Sequence, residues 1–110
     1  MGFVADFSAT PPTREEIEPL PGPVLLEFGA PWCGHCRALQ PLLAAALAKH
    51  PAVRHLKIED GPGRRLGRSF RVKLWPTLVF LRDGEVLAEL VRPTDEAAIG
   101  EALAAIDAAG

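Results

Sequence analysis

The sequence of 110 residues predicts an α/β domain, a mixed sheet covered on both faces by helices. Three observations predict it. Short apolar runs of strand length alternate with helix-like segments, the pattern of strands joined by helical crossovers. The last two strand-like runs flank Asp83-Gly84, a hairpin signal, so these two run antiparallel. Eleven prolines punctuate the chain and keep each element short.

The elements follow in order. Residues 3–7 (FVADF) alternate weakly and read as a short first strand. Thr13 with Glu16 makes a capping box that opens a short helix in TREEIEPL, ended by Pro19, Pro21 and Pro23. Residues 24–28 (VLLEF) form an apolar run suited to a buried central strand. Residues 37–50 read as a helix with leucines at 39, 42, 43 and 47. Pro41 inside it predicts a kink, and Pro51 ends it. Residues 53–58 (VRHLKI) alternate as a third strand, residues 60–63 form a turn, and residues 64–70 a short basic helix. Residues 77–81 (TLVFL) and 86–91 are the hairpin strands. Thr94 is expected to cap a last helix, with Ile99, Leu103 and Ile106 on its buried face.

Composition narrows the function. The length suits one domain over residues 1–110 with its own core. A formal net charge of −2 gives no basic excess for nucleic acid or an anionic membrane. Arg64, Arg65, Arg68, Arg71 and Lys73 cluster, but read as a solvated face rather than a docking patch. The longest apolar run, residues 42–48, is far short of the roughly 20 residues that span a bilayer. The first residues lack a basic and apolar leader pattern, so a cytoplasmic, monomeric protein is expected. Two cysteines exclude a scaffold of several disulfides.

Those cysteines carry the chemistry. Cys33-Gly34-His35-Cys36 lies where a strand hands over to a helix. Two intervening residues in a first helical turn bring two sulfurs within bonding reach. Unpaired N–H groups at the helix start favour a thiolate on Cys33, and Cys36 is more sheltered. The spacing therefore predicts that Cys33 attacks a substrate disulfide and Cys36 resolves the mixed disulfide. A protonated His35 beside Cys33 would favour its thiolate and make the couple more oxidising. A zinc site is the rival reading, since Cys33 and Cys36 precede His50-x4-His55 by finger-like spacing. Context opposes it: the intervening residues are a core-helix pattern, His50 precedes Pro51, and His55 falls in a strand. No metal is expected.

The segment from Glu27 to Pro41, EFGAPWCGHCRALQP, closely resembles the active-site segment of protein disulfide isomerases. Phe70 to Thr77 resembles the approach to the cis-proline of the thioredoxin-fold family, and Asp83-Gly84-Glu85-Val86 its hairpin. The resemblance implies a thioredoxin fold, three layers α/β/α, with sheet order β1-β3-β2-β4-β5 over the five expected strands. It implies a cis Pro76 facing Cys33, with the backbone of Trp75 pairing an extended substrate peptide. It makes Glu27 the buried acid behind Cys36, against the alternative of a solvent-facing carboxylate. It sets His55 at the place of the family's lysine near that acid, with Lys57 on the same strand face. Surface polarity is the alternative for both.

Trp32 is read as structural or as a shield for the disulfide, Trp75 as a substrate platform or plain apolar cover, and Arg92 as a groove residue. Gly34 and His35 complete the motif. The activity implied is thiol–disulfide exchange on protein disulfides, most simply as a thioredoxin-type reductant. It needs no cofactor beyond the Cys33–Cys36 pair and takes electrons from a thioredoxin-reductase-type donor. Disulfide isomerase or oxidase activity is the alternative, as is a partner-docking module with incidental redox activity.

Overall fold

A computed structural model describes residues 2–108. The elements are α1 (Arg14–Ile17), β1 (Pro23–Gly29), α2 (Gly34–Ala48), β2 (Arg54–Glu59), α3 (Arg65–Ser69), β3 (Thr77–Arg82), β4 (Glu85–Val91) and α4 (Glu96–Asp107). The sheet order is β2-β1-β3-β4. β1 pairs parallel with β2 and antiparallel with β3, and β3 pairs antiparallel with β4.

Strand alternation builds two cores. Leu25 of β1 and Leu78 and Phe80 of β3 face Leu39, Leu43 and Leu47 of α2 and Ile99, Leu103 and Ile106 of α4. Val24, Leu26 and Phe28 of β1 and Ile58 of β2 point the other way, to Ile17 of α1 and Leu66 and Phe70 of α3. β1 is thus buried on both faces, which is why its sequence is almost continuously apolar. The three-layer mixed fold is as expected.

Three expectations are corrected. The described residues form four strands, not five, because residues 3–7 do not join the ladder. The Val4 N–H donates to the ring Nδ1 of His55 at 2.8 Å instead of to a strand carbonyl. The one backbone bond from this region to β2 in the described chain is Ser8 N–H to the Lys57 carbonyl, 3.0 Å. A weakly alternating run at a sheet edge gains little from pairing, and side-chain acceptors win its N–H groups. The remaining four strands keep the relative order expected of them.

The second correction moves the start of α2 to Gly34, with Cys33 as N-cap. Cysteine is not among the usual capping residues, so only the Cys33-x-x-Cys36 spacing, and no capping signal, pointed to a helix start there. The helix then continues through Pro41. The third makes Asp95, not Thr94, the N-cap of α4, its carboxylate accepting from the Ala97 N–H at 3.0 Å. The capping box at Thr13 is present as read. At the hairpin, Gly84 is required twice over. Its φ is +83°, and a Cβ there would strike the Glu18 carbonyl.

Leu43 is 0% exposed between sheet and α4, whereas Leu87 on β4 is 46% exposed. Leu43→Ala is expected to cost about 2–5 kcal/mol in chemical denaturation, and Leu87→Ala under about 1 kcal/mol. Equal losses would contradict the assigned core.

Candidate active site

Both cysteines are free thiols, and they are not equivalent. β1 ends at Gly29, the chain turns through Ala30-Pro31-Trp32, and α2 begins after Cys33. Cys33 Sγ accepts the Cys36 N–H at 3.2 Å, so the first sulfur takes the role of a capping oxygen at the positive end of a 15-residue helix. Cys36 sits one turn in and is 3% exposed. Its sulfur lies over Gly29, where a Cβ would stand 2.6 Å away. Burial pushes the Cys36 thiol up from 9.0 to about 12. The hydrogen bond with Cys33 and the charges of Cys33 and Glu27 add to the rise, against a backbone hydrogen bond from Ala30.

Behind Cys36 lies a polar network inside the core. Glu27 is 0% exposed, on the face of β1 that points to α2. Its Oε1 is 2.8 Å from His55 Nε2, and its Oε2 accepts from Gln40 Nε2 at 2.8 Å. Gln40 Nε2 also donates to the Cys36 carbonyl at 2.8 Å. Lys57 Nζ donates to Gln40 Oε1 at 2.8 Å and stands 4.0 Å from Glu27 Oε2. A buried charge without such partners would be costly, so the four side chains stand or fall together.

The network settles two open readings. Glu27 is buried, not solvent-facing, and His55 and Lys57 are buried with it, not surface polarity. On β2, Lys57 is the Cα partner of Glu27 and His55 that of Leu25, yet it is His55 that contacts the carboxylate directly, at 2.8 Å. Gln40 was missed. It lies four residues after Cys36 and so on the same helix face, a spacing that could have revealed it.

On the other side of the cysteines, the Trp75-Pro76 bond is cis. Trp75 packs against Ala30, Cys33 and Cys36. Its indole N–H donates to Asp60 Oδ2 at 2.9 Å, a second residue that sequence reasoning passed over. Trp32 is 69% exposed and meets Trp75 edge-on, with ring centroids 5.4 Å apart. Arg92 has φ +50° and turns back on the proline: its Nε donates to the Trp75 carbonyl at 2.7 Å and its N–H to the Pro76 carbonyl at 2.9 Å. His35 is exposed and, with Pro76 and Arg92, lines a cavity of about 190 Å³; Gly34 is the exposed first residue of α2. The zinc arrangement is not assembled, because His50 Nδ1 binds Asp107 at 2.7 Å and His55 is held by Glu27 and Val4.

With this geometry established, comparison places the chain. The profile of the thioredoxin family matches residues 13–105. Thioredoxin 2 from Pseudomonas aeruginosa PAO1, solved in its reduced form, superposes with a TM-score of 0.85 at 55% identity, covering 98% of this chain and 100% of that one. Thioredoxin of Chlamydia trachomatis is 36% identical over 75 residues, 68% of this chain and 74% of its own length. Human protein disulfide-isomerase A2 is 44% identical over 84 residues, 71% of this chain and 16% of that protein. The chain spans only 11–16% of the length of the protein disulfide-isomerase relatives it matches. The chain belongs to the thioredoxin family. The expected fold is thereby borne out.

The high Cys36 value has a measurable consequence. Above about pH 9 the thiol ionises in the unfolded chain but keeps its proton in the folded one, up to about 12. The unfolded state then binds fewer protons, so stability falls as pH rises through that window, by up to about 1.4 kcal/mol per pH unit. Denaturation of the reduced protein is expected to show this fall and Cys36→Ser to lack it. Parallel profiles would contradict the assignment.

Proposed function

We propose that the protein reduces protein disulfides by dithiol–disulfide exchange at Cys33 and Cys36. The inequality of the two sulfurs carries this reading: both are buried, but one caps a helix and accepts an N–H, while the other lies one turn in and holds its proton. Cys33, as thiolate, attacks one sulfur of the substrate disulfide. A mixed disulfide forms, the substrate S–S bond breaks, and one substrate thiolate leaves. Cys36 passes its proton toward Glu27 and attacks the Cys33 sulfur. The Cys33–Cys36 disulfide forms and the second substrate thiolate leaves. The substrate gains two electrons and the protein loses two.

The remaining residues have supporting roles in this reading. Trp75, packed against the cysteines just ahead of the cis Pro76, receives an extended peptide along its backbone. Trp32 shields the pair, and Arg92 sets the shape of the groove. No cofactor is required beyond the cysteine pair. A reductant of this kind works in a reducing compartment such as the cytoplasm, recharged by a thioredoxin-reductase-type donor. Gly34-His35 between the cysteines, as in the isomerase-like segment, favours a couple more oxidising than that of thioredoxin, between about −270 and about −180 mV. This supports isomerase or oxidase activity as a second reading where the compartment is oxidising.

Insulin reduction driven by dithiothreitol tests the proposal. Wild type is expected to turn over, Cys33→Ser to fall to background, and Cys36→Ser to accumulate protein covalently trapped on Cys33. Turnover surviving Cys33→Ser would refute it. Equilibration with glutathione reads the potential, and His35→Pro is expected to lower it. A wild-type value at or below about −270 mV would contradict the role of His35.

A further inference from the structure

We propose that residues 4–7 are a working part of the redox centre, and that His55 is a positioning residue set by the Val4 amide. The inference rests on the reading that Glu27 takes the Cys36 proton. It begins from a polarity that the hydrogen bonds determine. A backbone N–H can only donate, so His55 Nδ1, 2.8 Å from the Val4 nitrogen, must accept. The neutral ring then carries its proton on Nε2 and donates it to Glu27 Oε1.

The second oxygen of Glu27 is determined in the same way. Lys57 can only donate, so Gln40 presents Oε1 to it and turns Nε2 toward Glu27 Oε2 and the Cys36 carbonyl. Lys57 in turn donates to the Ala5 carbonyl at 2.9 Å, and its ammonium lies 4.9 Å from the centre of the Phe7 ring. Both hydrogen-bond partners of the carboxylate therefore trace back to the segment, His55 directly to Val4 and Gln40 through Lys57 to Ala5. Phe3 stacks on His55 with centroids 5.6 Å apart. The backbone groups that a first strand would spend on β2 are spent on the side chains that aim Glu27.

Between this segment and α2 lies a cavity of about 350 Å³, lined by Ala5, Phe7, Cys36, Gln40 and Lys57 among others. It is an open depression with Lys57 and Gln40 among its polar lining, roomy enough for water beside Cys36. The segment is thus both anchor for the base and one side of the depression next to the thiol. The titratable groups that face this assembly are Glu27 from β1, Cys36 and Arg37 from α2, His55 and Lys57 from β2, and Asp6 from the segment. Protonating His55 on Nδ1 would require ejecting the Val4 N–H, so docking of the segment and the imidazolium form exclude one another.

Two measurements on the full chain test the inference. The ring ¹⁵N shifts of reduced wild type are expected to show His55 with Nε2 protonated and Nδ1 bare. An Nδ1–H tautomer there would overturn the proposal, whatever any variant does. The rate of resolution of a preformed Cys33–glutathione mixed disulfide is then followed against pH. Val4→Pro deletes the donor, while also fixing φ and changing the side chain, and is expected to slow resolution at neutral pH by about tenfold. It should shift the pH profile and leave the attack of Cys33 on a fresh disulfide unchanged. Val4→Ala keeps the amide and is expected to behave as wild type in both assays. Equal resolution rates in Val4→Pro and wild type would overturn the inference alone. No resolution by Cys36 in wild type would instead remove the reading beneath it.

Discussion

One constraint organises the molecule: a carboxylate, Glu27, buried at 0% exposure in the strand at the middle of the fold. A strand places alternate residues on opposite faces, so Glu27 points with Leu25 toward α2 and cannot reach solvent without flipping the strand. Leaving it unpartnered would cost several kcal/mol. Each partner that prevents this comes from a different place: His55 and Lys57 from β2, Gln40 from α2, and, through them, Val4 and Ala5 from the first residues. The parallel register of β1 and β2 and the seating of α2 are both locked onto one acid. The same seating fixes the depth of Cys36, because Gln40 bonds both Glu27 and the Cys36 carbonyl.

The site divides into two halves that meet at the sulfurs. On the Trp75 side lie the backbone and aromatic groups proposed to receive a peptide. Asp60 fixes the indole, and Arg92 occupies the Trp75 carbonyl while sitting at φ +50°, a conformation that disfavours side chains and is offset by its two hydrogen bonds. On the Glu27 side lie the buried polar groups proposed to handle a proton. Cys33 faces the first half as the N-cap sulfur, and Cys36 the second as the sheltered thiol. The division of labour thus follows from where a single helix begins.

Much of this was legible in the sequence. The VLLEF run announced a strand buried on both faces, Asp83-Gly84 a hairpin, and Cys33-x-x-Cys36 at a strand-to-helix junction a redox pair. What was not legible depended on distance or on competing partners. FVADF alternates like a strand, but its fate turned on a histidine 51 residues away that takes the Val4 N–H. His55 and Lys57 share a strand face, and only the folded geometry shows that His55 meets the acid directly while Lys57 reaches it through Gln40. Thr94 and Asp95 are both competent caps, so only the folded geometry chose between them. Gln40 looked like an ordinary polar residue until Lys57 and Glu27 stood on either side of it.

The central claim is that Glu27, positioned by its donors, takes the proton that Cys36 must lose. Burial is the largest cause of the high Cys36 value and the charge of Glu27 the smallest, so removing the carboxylate does not free the thiol. Loss of the base is then the dominant effect. The most direct measurement is the rate at which Cys36 resolves a preformed mixed disulfide on Cys33, wild type against Glu27→Gln, across pH. The account predicts a fall on the order of a hundredfold at neutral pH, recovering as alkali deprotonates Cys36 directly. Equal rates at neutral pH would contradict it.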